Sequence, residues 1–534
     1  MFRNTLYYGD NLDVMREFIP DESVDLVYLD PPFNSARDYN VLFKQAKRDE
    51  NQAQMTAFTD TWLWSKKHYQ EFFDDSRNVR LFDLMSALHK ILGQSEMMAY
   101  LVMMAPRLLE LRRALKPTGS FYLHCDPSAS HYLKLVLDVV FGPTNFRNEV
   151  VWQRTSSHND PSRYGRIHDT LLFYTRGREF VWNPQYEPQD DRYYGAHDFE
   201  LDEEGRKFRK RDLTAPSHGS NASGQYEWKG RTPPDGRMWS YTQDNMQRLE
   251  EEGRIVYTST GMPRLKIYID DLRGAPLQDI WARPELWLNS GASERMGYPT
   301  QKPLALLERI INTSSAPDGV VLDPFCGCGT AVVAAERLRR RWIGIDITYV
   351  SIDLIIERLS AFEPVPSTDY EVKGVPKDAH SARKLFEESP KQFEQWAVMY
   401  VDGVPQPDKS GDRGIDGKVY FQDLESNLQC AVCQVKGGHL TPSLIRDFSH
   451  VIEREKAAIG YFICLEKPTK GMYNEAEEIG FFTVGRRKIP KLQVRTIKEL
   501  LEEGKQFERP EGYALKSASG NRLTRDKEQR KLEL

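Results

Sequence analysis

An α/β fold, with parallel strands joined by helices, is what this sequence predicts, and three observations carry the prediction. SVDLVYLD (23–30) reads as a short apolar strand ending on an acid, and MAYLVMMAPRLLELRRAL (98–115) repeats apolar residues at helical spacing until KPTG closes it. GSFYLHCD (119–126) reads as another strand and HYLKLVLDVVF (131–141) as another helix. After a long break the alternation resumes: helix at 303–315, strand GVVLDPF at 319–325, helix AVVAAERLRRR at 331–341, strand RWIGIDI at 341–347.

The break covers 154–293, where Gly, Pro, Asn and Asp punctuate the chain, Tyr193, Tyr194, Tyr226, Trp228, Trp239 and Tyr241 are scattered, and periodicity fades. The α/β pattern thus occupies 1–153 and 294–362. A linker is expected over 363–378, around AFEPVPSTDYEV, then a smaller α/β unit over 379–507 and a polar tail over 508–534. Several domains suit 534 residues, which exceed what one core usually serves. No internal repeat is found.

Composition excludes whole classes. With 40% hydrophobic and 28% charged residues the chain is neither collagen-like nor wholly disordered. No run approaches the roughly 18 uncharged apolar residues of a membrane span. The N-terminus turns acidic before any signal-like apolar region develops, so a cytoplasmic protein without membrane contact is expected. Six cysteines are too few for a disulfide framework. Cys430 and Cys433, three apart in a strand pattern, point to opposite faces, and Cys326 and Cys328 have no second pair nearby, so no zinc site is expected. The net charge of −5 does not announce a nucleic-acid binder, although 206–211, 337–341 and the tail after Leu515 are basic; taken singly these runs read as solvated faces.

Two strand-to-loop transitions carry candidate chemistry. In VVLDPFCGCGT (320–330), Gly327 and Gly329 allow the backbone to pass close to a ligand at the carboxyl end of a strand. Asp346, ending the next strand, is placed to accept hydrogen bonds from ribose hydroxyls; many nucleotide-binding loops look alike, so this loop alone is weakly specific. In LVYLDPPFN, Asp30 and the Pro31 carbonyl can accept both hydrogens of an exocyclic amine, Pro31 and Pro32 fix the carbonyl direction, and Phe33 can stack on a base. An ordinary turn could carry the same residues. An amine whose lone pair is delocalised into its ring needs such orientation before it can act as a nucleophile.

The combination resembles the β-class amino-methyltransferases of DNA, in which the catalytic motif precedes the cofactor motif. YYGDNLDVM, DPPFN, RALKPTGSFYLHCD, NEVVWQR, YPTQKP, DPFCGCGT and IGIDI carry the resemblance over most of 1–362. It implies a Rossmann-like fold, S-adenosylmethionine as cofactor, and double-stranded DNA whose target base flips out of the stack. It also implies that Asp323, Phe325, Gly327, Gly329 and Thr330 form the methionine-binding loop and that Asp346 binds ribose. Thr300, Gln301, Lys302 and Pro303 match the motif closing over the donor, and Asp10 matches the acid near its adenine ring. Asp10 would equally cap the helix that follows it. The segment 154–293 takes the place of a target recognition region. DPPF resembles the adenine N6 subgroup, which overlaps with cytosine N4.

A second arrangement lies near the C-terminus. Asp416, in GIDG, starts one strand; Gln434 and Lys436, two apart on the next, share a face and can meet it across the hairpin. Glu394, on the preceding helix, can join them. Carboxylates such as Asp416 and Glu394 can hold magnesium, and a lysine beside them can orient water, which is equipment for phosphodiester hydrolysis. Residues 385–466 resemble the Mrr-like branch of the restriction endonuclease fold, of the PD-(D/E)xK kind, in which glutamine replaces the more usual acid before x-Lys. Together the two resemblances imply a single-chain restriction-modification protein, and they do not exclude a homodimer. The alternatives are a solitary DNA methyltransferase whose last domain only grips DNA, and an RNA methylase with an inert binding module.

Overall fold

The computed structural model describes residues 3–32, 38–42, 54–59, 79–156, 162–189, 198–217, 224–288, 294, 298, 300–360, 370–406, 414–422, 428–484 and 487–509. Runs of aliphatic residues make its central strands. Val24–Leu29 (β2), Val320–Asp323 (β7) and Arg341–Asp346 (β8) are almost wholly buried, as strands covered on both faces must be. With Asn4–Tyr8 (β1), Leu115–Cys125 (β3), Phe146–Gln153 (β4), His168–Thr175 (β5), Ile280–Trp281 (β6) and Tyr370–Lys373 (β9) they form a nine-stranded sheet in the order β6-β4-β5-β3-β2-β7-β8-β1-β9. β5 alone runs antiparallel to both its neighbours; the remaining pairs are parallel.

The helices carry the expected amphipathic faces. Asn11–Phe18 (α1), Val79–Leu92 (α2), Glu96–Ala114 (α3) and Ser130–Phe141 (α4) bury Met15, Met85, Leu101, Leu108 and Leu137 against the sheet in one hydrophobic core. Leu304–Ser314 (α5), Thr330–Arg337 (α6) and Tyr349–Ser360 (α7) follow in the second half. KPTG does not form a separate turn: β3 starts at Leu115, with its register against β2 shifting between Val24 and Leu26.

Two expected boundaries move. The segment assigned to target recognition, 154–293, contains β5, whose HDTLLFYT is buried along nearly its whole length and sits inside the main sheet; the separate unit is Pro184–Gln278. The expected linker, 363–378, contains β9, which pairs with β1 from Asn4 opposite Tyr370 to Tyr7 opposite Lys373. Prolines and polar residues around these strands hid them. The unit Pro184–Gln278 has a four-stranded antiparallel sheet in the spatial order Ile255–Tyr257, Pro263–Tyr268, Lys207–Asp212, Phe199–Leu201. Its core gathers Leu213, Trp228, Trp239, Met246 and Leu265.

The C-terminal region packs its own mixed sheet. Val404–Pro405 (β10), Gly417–Gln422 (β11), Leu428–Lys436 (β12), Ile459–Cys464 (β13) and Leu492–Thr496 (β14) lie in sequence order, antiparallel up to β12 and parallel beyond it. Ala379–Glu388 (α8) and Pro390–Tyr400 (α9) precede it, and Pro442–Arg454 (α10) buries Ile445, Phe448 and Ile452. Tyr8, at the end of β1, donates its hydroxyl to Gln392 on α9 at 2.9 Å, so this region and the nine-stranded sheet meet in one compact unit. No described helix is long and apolar enough to cross a membrane.

Candidate active site

Four neighbouring parallel strands, β2, β7, β8 and β1 in that spatial order, end on one edge of the sheet, and each delivers an acid there. Asp30 follows β2 directly, Asp323 ends β7, Asp346 ends β8, and Asp10 lies two residues past β1. All four line a cavity of about 250 Å³. The register of β2 on β7, with Leu26 opposite Val321 and Val27 opposite Leu322, sets the Asp-Pro-Pro turn and the glycine loop side by side, although hundreds of residues separate them in the chain. This is the carboxyl edge at which open α/β sheets bind ligands.

Pro31, Pro32, Thr300, Gln301, Lys302, Phe325, Gly327 and Thr330 line the same cavity. Phe33 lies outside the described residues. Pro303 stands at the N-cap of α5, outside the lining. Gly329 is likewise not a lining residue: with φ +74° it caps α6, and a Cβ there would stand 2.5 Å from Ile355 on α7. Its lack of a side chain serves helix packing, not approach to a ligand. Gly327 (φ +50°) does face the cavity, and its N–H donates to Asp346 Oδ2 at 2.9 Å.

Asp10 lines the cavity and also caps α1, accepting from Leu12 N–H at 2.8 Å. Arg107 on α3 donates to both Asp10 oxygens at 3.0 and 2.8 Å and to Asn11 Oδ1 at 2.6 Å. Asn11 in turn donates to the Pro324 carbonyl at 2.7 Å, which ties the loop after β1 to the loop after β7. Asp346 Oδ1 accepts from the Thr348 N–H and hydroxyl, both at 2.9 Å. Burial nonetheless pushes the Asp346 carboxyl above its ordinary pKa. Burial, with the charges of Asp30 and Asp346 adding to it, pushes Asp323 well above the usual carboxylate range, against the hydrogen bond from Phe325 N–H.

Asp30 has a partner that sequence reasoning assigned elsewhere. Lys302 was expected to close over the donor, yet its Nζ donates to Asp30 Oδ2 at 2.6 Å, with both side chains largely buried. Behind them runs a buried polar chain that sequence reasoning missed. The Tyr28 hydroxyl lies 2.9 Å from His124 Nδ1, and His124 Nε2 lies 3.3 Å from Asp169 Oδ2. Burial works against ionisation of Asp169, but the His124 hydrogen bond and charge, with Arg154 and Lys302, hold its pKa below the ordinary value. The available signal was two polar residues, His124 and Asp169, beside the apolar runs of their strands.

In the C-terminal sheet, Asp416 precedes β11; its N–H donates to the Cys433 carbonyl at 2.9 Å and its Oδ2 accepts from Val435 N–H at 2.7 Å. Gln434 and Lys436 follow two apart on β12. Among the described residues, Gln434 Oε1 is buried without a hydrogen-bond partner. Burial, then the charge of Asp416, pushes the Glu394 carboxyl up, while Lys391 and Lys436 oppose the shift. Asp416, Glu394 and Lys436 therefore act on one neighbourhood, and Gln434 lies between Cys433 and Val435, both hydrogen-bonded to Asp416. Among the described residues no group of three or more His, Cys, Asp or Glu forms a metal cage, so the cluster offers two carboxylates and an amide oxygen. All six cysteines are free thiols, Cys433 buried and Cys430 half-buried.

Fold and cavity together define the class: an open, mostly parallel α/β sheet with a ligand site at the carboxyl edge of its central strands. The chain belongs to the DNA methylase family, whose model matches residues 24–357, more than half its length. It is similar to type II methyltransferase M.EcaI of Enterobacter cloacae, 27% identical over 80% of this chain and 84% of that protein. It is also similar to the StyLTI Mod subunit, a type III restriction-modification enzyme of Salmonella typhimurium, 28% identical over 63% of this chain; there it spans only 50% of the relative's length. Among solved structures, the cytosine-N4-specific PvuII DNA methyltransferase superposes over 70% of this chain and 95% of its own at 14% identity, with a TM-score of 0.35.

Proposed function

We propose that the chain methylates adenine N6 in double-stranded DNA at a specific sequence, with S-adenosylmethionine as donor. One observation carries the reading: β2 and β7 are hydrogen-bonded neighbours, so the Asp-Pro-Pro turn and the glycine loop open onto one cavity. The residues present fit the donor. Asp346 and Asp10 face the cavity as hydrogen-bond acceptors, Met103, Leu307 and Phe325 supply an apolar wall, and Gly327 keeps side-chain atoms out of the loop. When bound, the donor supplies a methyl group on an already activated sulfonium. The chain contributes alignment: Asp30 and the Pro31 carbonyl accept the two amine hydrogens and hold the nitrogen in line. The base must leave the duplex stack to reach them. Relatives named as a type II methyltransferase and a restriction-modification Mod subunit agree with a DNA substrate.

The test is transfer of labelled methyl to double-stranded DNA, RNA and protein, followed by hydrolysis of the product. N6-methyladenine in DNA alone is the expected result. N4-methylcytosine would reassign the base, and transfer confined to RNA would overturn the reading.

A second activity, magnesium-dependent cleavage of DNA by residues 379–507, is favoured by Gln434 Oε1, buried without a partner among the described residues and set by the strand register opposite Asp416. An orphaned buried acceptor is costly unless a ligand completes it. Asp416, Glu394 and Gln434 would hold the ion, which would supply Lewis-acid chemistry, and Lys436 would orient water. This makes the chain a single-chain restriction-modification protein. If plasmid is nicked with magnesium, and Asp416→Ala and Lys436→Ala nick it equally well, the assignment fails.

A further inference from the structure

Resting on the methyl-transfer reading, we propose that Arg107 is a positioning residue for the donor: it turns the Asp10 carboxylate so that Oδ2 accepts from the donor's adenine amine, and it ties that acid to the loop after β7. The guanidinium is engaged at all three nitrogens. Nη2 donates to both Asp10 oxygens at 3.0 and 2.8 Å, Nε donates to Asn11 Oδ1 at 2.6 Å, and Nη1 donates at 2.9 Å to the carbonyl of Met103, one turn back on α3. Its own helix therefore anchors the group that holds the other two. Arg107, Asp10, Asn11 and Met103 all line the cavity.

Counting acceptor positions on Asp10 gives the first consequence. A carboxylate offers about four lone-pair sites. Oδ1 already accepts from Leu12 N–H and from Arg107, and Oδ2 accepts from Arg107 alone, so the open position lies on Oδ2. The Arg107 side chain is 12% exposed against 39% for Asp10, which encloses the cation behind an acid whose free face stays accessible. A buried guanidinium is costly without its counter-charge, and that cost keeps the two side chains together. An adenine ring carries one hydrogen-bond donor, its exocyclic amine, so an acceptor-only carboxylate beside the ring recognises that group. Asn11 gives the second consequence. A guanidinium only donates, so the Asn11 oxygen must face Arg107 and its amide nitrogen must face the Pro324 carbonyl, to which it donates at 2.7 Å. Pro324 stands between Asp323 and Phe325, both lining the cavity. One cation thus sets the acid after β1 and steadies the loop after β7.

Binding of two probes to the full chain tests this: S-adenosylhomocysteine, and its analogue in which hydrogen replaces the adenine amine. The wild type should bind the first about thirtyfold more tightly, the worth of one hydrogen bond to a charged acceptor. Arg107→Met keeps an unbranched stem and removes the fork, so Asp10 is free to turn; the preference should fall to about threefold or less, and the donor KM should rise by more than kcat falls. Arg107→Lys keeps the charge on one nitrogen in place of three and should fall between the two, which also carries the test where Arg107→Met does not fold. Loss of packing alone would weaken both probes by the same factor and leave the preference as it was. A preference retained in full by either variant, or missing from the wild type, overturns the inference and leaves methyl transfer standing. A wild type that binds neither probe and transfers no methyl overturns the methylase reading as well.

Discussion

Asp30 and Asp416 each sit one residue outside a strand, yet their surroundings are built on opposite plans. Around Asp30 the site is assembled from four parallel strand ends, with Lys302 arriving from far along the chain. Around Asp416 one hairpin supplies three of the four residues, and only Glu394 comes from a helix outside it. The first plan yields a cavity of about 250 Å³; the second sets an acid beside a buried amide oxygen. A transferase must hold two reactants in line, whereas hydrolysis needs only water and a scissile bond, so the two proposed activities make different demands of these sites.

The largest effect should come from separating the two sites. Asp30→Ala should lower methyl transfer about a thousandfold and leave donor binding within a few-fold of wild type, because it removes the acceptor of the reacting amine, along with the Lys302–Asp30 contact. Magnesium-dependent nicking should continue unchanged in that variant. Asp416→Ala should give the reverse pattern. Loss of both activities in either variant would show that the sites are not independent.

Next in size is the contrast between the two glycines. Gly329→Ala places a methyl 2.5 Å from Ile355 at φ +74° and should destabilise the fold by about 2 to 4 kcal/mol. Gly327→Ala meets Tyr298 at 3.2 Å on the cavity side, so donor affinity should fall more than thermal stability. Thermal melts and donor titration of both variants check this; equal behaviour would erase the distinction between packing glycine and site glycine.

How legible these features were follows from where their information resides. The hairpin cluster was readable because period-two spacing is local: Gln434 and Lys436 share a face whatever the rest of the chain does. The long helices and central strands were readable from apolar periodicity. β5 and β9 were missed because their apolar runs lie among prolines, glycines and charges, and only pairing with β3, β4 and β1 reveals them. The Lys302–Asp30 pair and the Tyr28–His124–Asp169 chain were invisible for a stronger reason. Each joins residues on different strands or loops, and no spacing within one segment encodes which strands are neighbours.

A smaller effect bears on the hydrolytic plan. Gln434→Glu introduces the acid that is more usual before x-Lys outside the Mrr-like branch, adding a charge to a pocket that already holds Asp416 and Glu394. If a cation occupies the site, nicking should reach half its maximum at about tenfold lower magnesium concentration. If the cluster is merely structural, the added carboxylate is buried beside two others, and the melting temperature should fall with no gain in cleavage.

The smallest effect distinguishes two acids within one site. Asp169 and Asp323 are both buried, but the first is held below its ordinary pKa by the His124 hydrogen bond and neighbouring positive charge, and burial drives the second well above it. Their contributions to stability therefore run in opposite directions with pH. For Asp323 the folded state binds the proton more tightly than the unfolded chain, so stability falls as pH rises from the unfolded value, about 3.9, to the raised folded one, by about 1.4 kcal/mol for each unit between them. Asp323→Asn keeps the acceptor for Phe325 N–H and cannot ionise. It should match the wild type in acid and melt higher at neutral pH, whereas Asp169→Asn, having lost a favourable charge, should melt lower at neutral pH and converge on the wild type as pH falls. Melting curves of the three proteins across the acidic range decide the matter, and parallel lines would mean that neither carboxyl is perturbed as its surroundings require.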